Sequence, residues 1–151
     1  MLISERAKKS LESNLCLYYL GGERRASDIL SEQKKSILNE QQYHNLKKIV
    51  SLADQTRNTL YEENMLEFGR MLDRGWAIKK QLASAISNHT IDDMYQKAKA
   101  CGAIGGKVLG AGGNGFLLLY AENHALVRKA LNCKVLPFNI DREGTKVTFY
   151  E

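Results

Sequence analysis

The sequence predicts an α+β domain in which a helical layer covers a mostly antiparallel sheet of about four or five strands. Three observations support this prediction. Short apolar runs that are typical of strands occur near residue 15 and again after residue 105. Amphipathic helical periodicity fills most of the chain between them. The 151 residues suffice for one domain with a sizeable core.

The first half of the chain indicates one strand and then helices. Leu15 to Leu20 is apolar and is ended by Gly21, and a first helix is expected to start at Ser27 or Asp28. Apolar residues at helical spacing from Tyr43 to Ala53 predict a second helix. A third is predicted from near Glu62, because its apolar stripe continues to Ile86.

The second half indicates short strands with two helices. Thr90 and the residues after it resemble a capping box that starts a helix ending at Gly102. The remaining elements are strands at Lys107–Leu109, Phe116–Tyr120, Val135–Phe138 and Lys146–Tyr150, with a helix at His124–Leu131. Pro137 predicts that its strand lies at a sheet edge. We divide the chain into a polar N-terminal extension, residues 1–12, and a domain, residues 13–151.

Composition excludes several classes of protein. The net charge is +5, but the basic residues are mixed with acidic ones and lack the interleaved aromatic residues of RNA-binding surfaces. No nucleic-acid partner is therefore expected. No apolar stretch is long enough to span a membrane, and no signal peptide is evident. The three cysteines and three histidines are scattered, which predicts reduced thiols in a cytoplasmic protein and no metal site.

The stretch GGKVLGAGGNGFLLLY, residues 105–120, holds six of the chain's twelve glycines. A dinucleotide-binding loop is rejected because a strand follows instead of a helix, and a P-loop is rejected because Lys107 lacks the following Ser or Thr. A plain turn between two strands remains open. Six glycines also suit a loop whose backbone comes close to a ligand and forms an anion-binding nest.

Four cations are candidates for binding an anion. Lys79 lies on the apolar stripe of its helix, where a lysine either extends to solvent or faces an anionic ligand. Arg24 and Arg25 follow the first strand, and arginine binds phosphate in a bidentate manner. Lys107 stands just before the glycine-rich loop.

The glycine-rich stretch resembles the third signature motif of the GHMP kinases, with Asn114 where a glycine is usual. LCLYYLGGERRASDILSEQ resembles the start of the C-terminal domain in the bacterial heptose-phosphate kinases of that family, although Gly21 replaces a usual threonine. The long helix with Trp76 and the closing segment KVLPFNIDREGTKVTFY resemble the same proteins. The resemblance covers about residues 13 to 151.

This resemblance implies a ferredoxin-like C-terminal domain that lacks the family's N-terminal ATP-binding domain. No catalytic residue is then expected in this chain, and ATP and Mg²⁺ are bound mainly by the absent domain. The loop formed by Gly110, Ala111, Gly112, Gly113, Asn114 and Gly115 is expected beside the phosphates. Arg25, Lys79, Lys107 and Arg24 are expected to bind the substrate, and Arg25 matches the family arginine better than Arg24 does.

The resemblance also implies an activity for the full-length protein. An ATP-dependent sugar kinase would phosphorylate the anomeric hydroxyl of D-glycero-D-manno-heptose 7-phosphate and serve lipopolysaccharide or capsule biosynthesis. A fucose- or galactose-type kinase and a non-catalytic module that binds sugar phosphates are the alternatives. The chain alone is expected to be inactive, and the surface left by the absent domain is compatible with a homodimer.

Overall fold

The computed structural model describes residues 3–21, 40–142 and 144–146. Five α-helices, one short 3₁₀ helix (Ser84–Ile86) and four strands lie in this part of the chain. The helices are α1 (Glu5–Asn14), α2 (Glu40–Tyr61), α3 (Met65–Lys79), α4 (His89–Ala100) and α5 (Ala125–Leu131). The strands are β1 (Leu15–Gly21), β2 (Gly105–Val108), β3 (Gly115–Tyr120) and β4 (Val135–Pro137).

The strands form one antiparallel sheet in the order β2-β3-β1-β4. With the helices, this confirms the predicted α+β class. β4 lies at the edge of the described sheet, where Pro137 removes no hydrogen bond from an inner strand. The helix expected from Ser27 or Asp28 lies outside the described residues, as does nearly all of the strand expected at Lys146–Tyr150.

Two helix boundaries differ from the predicted ones. α3 ends at Lys79, so the buried Ala83 and Ile86 belong to the segment after it and not to one long helix. The N-cap of α4 is Asn88 and not Thr90, because the Asn88 side-chain oxygen accepts the Ile91 N–H at 3.0 Å.

The N-terminal residues are partly helical. α1 buries Ala7 and Leu11, and Leu11 packs with Leu15 and Tyr120 in a small apolar cluster. The proposed boundary at residue 12 therefore falls within α1, and it stays a prediction.

The main core lies between one face of the sheet and the helices. Tyr18, Leu117 and Leu119 of the central strands are fully buried there, together with Trp76 and Ile86. The alternation of buried residues along β1 and β3 is what a sheet with one strongly covered face requires.

α3 packs directly against β2 through glycine. A Cβ at Gly105 would collide with the backbone carbonyl oxygen of Gly69. Asp73 also joins α3 to α4, because its carboxylate accepts a hydrogen bond from the Tyr95 hydroxyl at 2.6 Å and pairs with the Lys99 ammonium at 3.1 Å. The close approach of α3 to β2 covers the β2 edge of the sheet and sets the position of Lys79 at the far end of α3.

A buried histidine joins α5 to β1. The Tyr18 hydroxyl lies 2.9 Å from His124 Nδ1, and His124 Nε2 lies 2.9 Å from the Asn14 carbonyl oxygen. Because a carbonyl can only accept, Nε2 carries the proton and Nδ1 accepts from Tyr18. Burial is the main reason that the pKa of His124 is lowered. The hydrogen bond to the Asn14 carbonyl oxygen acts in the opposite direction, and the Arg128 guanidinium makes a smaller lowering contribution.

We predict that Gly105→Ala destabilises the domain by about 1–3 kcal/mol, because the new methyl group has only backbone to displace. Gly75→Ala is the matched control, since its methyl group would meet the flexible Leu52 side chain at 3.2 Å and alanine favours the helix. Urea unfolding measures both free energies. Equal stability of the two variants would contradict the close α3–β2 contact.

Stability should fall as the pH is lowered through 6.5, the ordinary pKa of histidine. The folded-state pKa of His124 is depressed, so the unfolded chain binds the proton first and gains stability relative to the folded chain. Urea unfolding at several pH values measures this dependence. In His124→Asn the dependence should be weaker, and an unchanged dependence in that variant would assign it to other groups.

Candidate functional site

The glycine-rich loop, Gly110 to Gly115, follows β2 and includes the first residue of β3, beside the end of β1. Gly110, Gly112, Gly113 and Gly115 all have positive φ, so the loop uses backbone conformations that other residues rarely adopt. Gly115 pairs with Gly21, which brings the end of β1 next to the loop. The loop does join two antiparallel strands, as the plain-turn interpretation requires, but it is longer than a tight hairpin needs.

The loop is held on the segment that follows α3. The Gly113 N–H donates to the Ile86 carbonyl oxygen at 2.8 Å, and the Asn88 side-chain amide donates to the Gly113 carbonyl oxygen at 3.4 Å. A Cβ on Gly112 would lie 2.6 Å from the Ile86 carbonyl oxygen. Gly112 is therefore required for close backbone contact, and the loop comes close to Ile86 of its own domain.

A small cavity of about 240 Å³ separates the loop from the start of α4. Gly113 and Asn114 line one side, and Asn88, Thr90 and Ile91 line the other. The first turn of α4 also contains Asp92, whose carboxylate accepts from Lys80 at 2.8 Å and from the Ser87 hydroxyl at 3.0 Å. Asp92 is thus engaged in contacts within the domain.

Lys79 and Lys107 line a second, larger cavity of about 370 Å³ between α2, α3 and β2. The Lys79 ammonium donates to the Gly110 carbonyl oxygen at 2.6 Å. Burial lowers the pKa of Lys79, and the positive charge of Lys107 lowers it further. The structure therefore brings these two predicted residues together and links one of them to the glycine-rich loop.

Arg24 and Arg25 lie outside the described residues. Sequence reasoning missed Arg57, which lines the same cavity as the two lysines, and it missed the role of Ile86 and Asn88 in holding the loop. No pattern in the sequence pairs the segment around Ile86 with a loop some 25 residues later, because the contact is made by backbone atoms.

Metal-ligating clusters and membrane-spanning helices are both missing from the described part of the chain. No group of three or more histidine, cysteine, aspartate or glutamate side chains there could hold a metal ion. No described helix is long and apolar enough to cross a membrane.

This chain is similar in sequence to known kinases. The family model described as GHMP kinases C terminal matches residues 56–137. A D-glycero-alpha-D-manno-heptose 7-phosphate kinase of Campylobacter jejuni is 28% identical over 142 residues, covering 90% of this chain and 42% of the relative. A bifunctional fucokinase/GDP-fucose pyrophosphorylase of Arabidopsis thaliana is 26% identical, covering 82% of this chain and 12% of the relative.

A solved kinase structure is also similar to this chain. The D-glycero-D-manno-heptose 1-phosphate kinase of Bacteroides thetaiotaomicron matches with a TM-score of 0.56 and 25% identity, over 92% of this chain and 36% of the other. The chain thus spans less than half the length of these relatives.

We predict that Gly112→Val detaches the loop from Ile86 but leaves the domain folded. The β-branched side chain would need a φ of +106° and would collide with the Ile86 backbone. Far-UV circular dichroism reports the fold, and the position of the Gly113 amide resonance reports its hydrogen bond. Gly110→Ala is the control for backbone strain without a collision, because residue 110 also has a positive φ, +67°, but its methyl group would meet no atom within 4 Å. An unshifted Gly113 resonance in Gly112→Val would contradict the contact.

Proposed function

This chain belongs to the GHMP kinase C-terminal family, and we propose that it is the C-terminal part of an ATP-dependent sugar kinase acting on D-glycero-D-manno-heptose 7-phosphate. The observation that carries the proposal is the 28% identity to a heptose 7-phosphate kinase across 90% of this chain. The whole enzyme would transfer the γ-phosphoryl group of ATP to the anomeric hydroxyl, giving the 1,7-bisphosphate and ADP.

In the whole enzyme this chain would position the substrates and supply positive charge. Phosphoryl transfer depends on these two contributions more than on covalent catalysis by the protein. The loop from Gly110 to Gly115 would face the phosphates with its backbone N–H groups. The described residues offer no cluster of ligands for Mg²⁺. We assign ATP and Mg²⁺ mainly to an N-terminal part of the whole enzyme, and we assign no catalytic residue to this chain.

The sugar phosphate would bind to the cations of this chain. Lys79 uses one N–H on Gly110, which leaves two donors for a phosphate oxygen. Lys107 lies close enough for its charge to lower the Lys79 pKa, and an anion between the two ammonium groups would relieve their repulsion. Arg25, with Arg24 beside it, stands four residues after Gly21, whose partner in the sheet is Gly115.

A fucose-type kinase is the second candidate, because the fucokinase match covers 82% of this chain. Galactose-type kinases and a non-catalytic module that binds sugar phosphates are retained as further alternatives. We place the reaction in the cytoplasm and in the synthesis of lipopolysaccharide or capsule. A homodimer of the isolated chain is proposed through the surface that would meet the N-terminal domain in the whole enzyme.

The direct test is ATP-dependent phosphorylation of D-glycero-D-manno-heptose 7-phosphate. The purified chain alone should show no turnover, because metal, triphosphate and nucleophile must be aligned together. Turnover should appear when the chain is fused to the N-terminal part of a full-length heptose kinase. Turnover by the chain alone would refute the proposal. A fusion enzyme that prefers fucose or galactose would show that the proposed sugar substrate is wrong.

In the active fusion, Arg25→Ala and Lys79→Gln should each raise KM for the sugar phosphate and leave KM for ATP nearly unchanged. Each loses a charge-assisted contact of about 1.5–3 kcal/mol, which corresponds to roughly tenfold to a hundredfold in KM. Lys97→Gln, an exposed residue on the outer side of α4, is the matched control. If the substitutions changed only the KM for ATP, these cations would be assigned to nucleotide binding and not to sugar-phosphate binding.

A further inference from the structure

The cavity between α2, α3 and β2 is lined mainly by apolar side chains, which do not suit the hydroxyl groups of a sugar. Its walls are mostly aliphatic and aromatic side chains, Ile49, Leu52, Leu60, Met71, Leu72 and Trp76. Leu52 and Leu72 are only half-buried, so apolar surface is left facing an open space of about 370 Å³. That volume lies in the range of small-molecule sites.

The hydroxyl groups of a sugar would find few partners in this cavity. Among its described lining residues only Thr56 carries a hydroxyl group, and that group already donates to the Leu52 carbonyl oxygen at 2.7 Å. A buried sugar hydroxyl without a partner would cost binding free energy, whereas an alkyl chain would gain it by burying its methylene groups.

The charge in the cavity is positive and is concentrated on two lysines. No acidic residue is among its described lining residues. Arg57 is paired with the Asp54 carboxylate at 3.2 Å, whereas neither Lys79 nor Lys107 forms an ion pair within the described chain. Burial lowers the pKa of Lys79, and the positive charge of the neighbouring Lys107 lowers it further.

We propose that this cavity binds an amphiphilic anion, with an alkyl chain against the α2–α3 walls and a phosphate head group on Lys79 and Lys107. The head group would use the same lysines as the sugar phosphate of the proposed function, but the body of the ligand differs. The two ligands should therefore compete. Lys79 also donates a hydrogen bond to the Gly110 carbonyl oxygen, so a ligand in the cavity should change the environment of the glycine-rich loop.

The chain itself permits a test that needs neither ATP nor turnover. Trp76 is the only tryptophan of the chain and lies in the cavity wall, so its fluorescence reports occupancy. Butyl, hexyl and octyl phosphate, kept below micelle formation, are titrated as probes. Octyl phosphate should saturate the signal, and each added methylene should tighten binding by about fourfold. The Gly110 and Gly112 amide resonances should shift in the same titration.

Three variants and one control distinguish binding of the head group from binding of the alkyl chain. Lys79→Gln and Lys107→Gln should each weaken octyl phosphate binding by about tenfold. Lys97→Gln should leave it unchanged, because Lys97 is exposed and lines no described cavity. Ala53→Leu extends an exposed lining residue into the cavity and should weaken octyl phosphate more than butyl phosphate. Thermal unfolding confirms that each variant is folded.

Several results would overturn the proposal. They are the absence of a saturable signal, equal affinity for octyltrimethylammonium, and affinity for inorganic phosphate equal to that for octyl phosphate. The last result would leave the lysines as an anion site without an alkyl site, and the kinase proposal would still stand. Conversely, an inactive fusion enzyme would remove the kinase proposal without affecting this one.

Discussion

The contact between the glycine-rich loop and the segment after α3 is the constraint on which the site depends. One backbone hydrogen bond, from Gly113 to Ile86, fixes the loop at a distance that only a glycine at position 112 permits. Ile86 is itself fully buried, so the loop contacts the core of the domain. The shape of the loop is in this way built into the domain.

The position of Lys79 follows from the same arrangement. α3 can lie close to β2 because glycines meet at positions 69 and 105, and its last turn then reaches the loop. The Lys79 ammonium bonds to Gly110 while it faces the charge of Lys107. Repulsion between the two lysines is a cost that an anionic ligand would offset, which gives the domain a physical reason to bind one.

Much of this fold could be predicted from sequence, because apolar periodicity is a local signal. The strands around Tyr18 and Leu117 and the helix around Leu46 were found in this way. The end of α3 was not found, since the apolar stripe continues into Ala83 and Ile86 after the helix has stopped. Those residues are buried by the tertiary fold, and periodicity does not separate a buried turn from a buried helix face.

The candidate site was only partly predictable, for a related reason. Glycine content identified the loop, and the position of Lys79 on an apolar stripe identified a half-buried cation. The partners of the loop and the cavity shared by Lys79, Lys107 and Arg57 depend on contacts between distant parts of the chain. The placement of Arg24 and Arg25 stays a prediction.

Hydrogen exchange at the loop amides of the isolated chain tests most directly whether the loop is preformed. The Gly113 amide should exchange at least about tenfold more slowly than the Gly110 amide, because Gly113 donates to buried Ile86. Exchange of both amides at the rate of an unstructured peptide would show that the loop has no fixed shape in this domain, and would contradict the account.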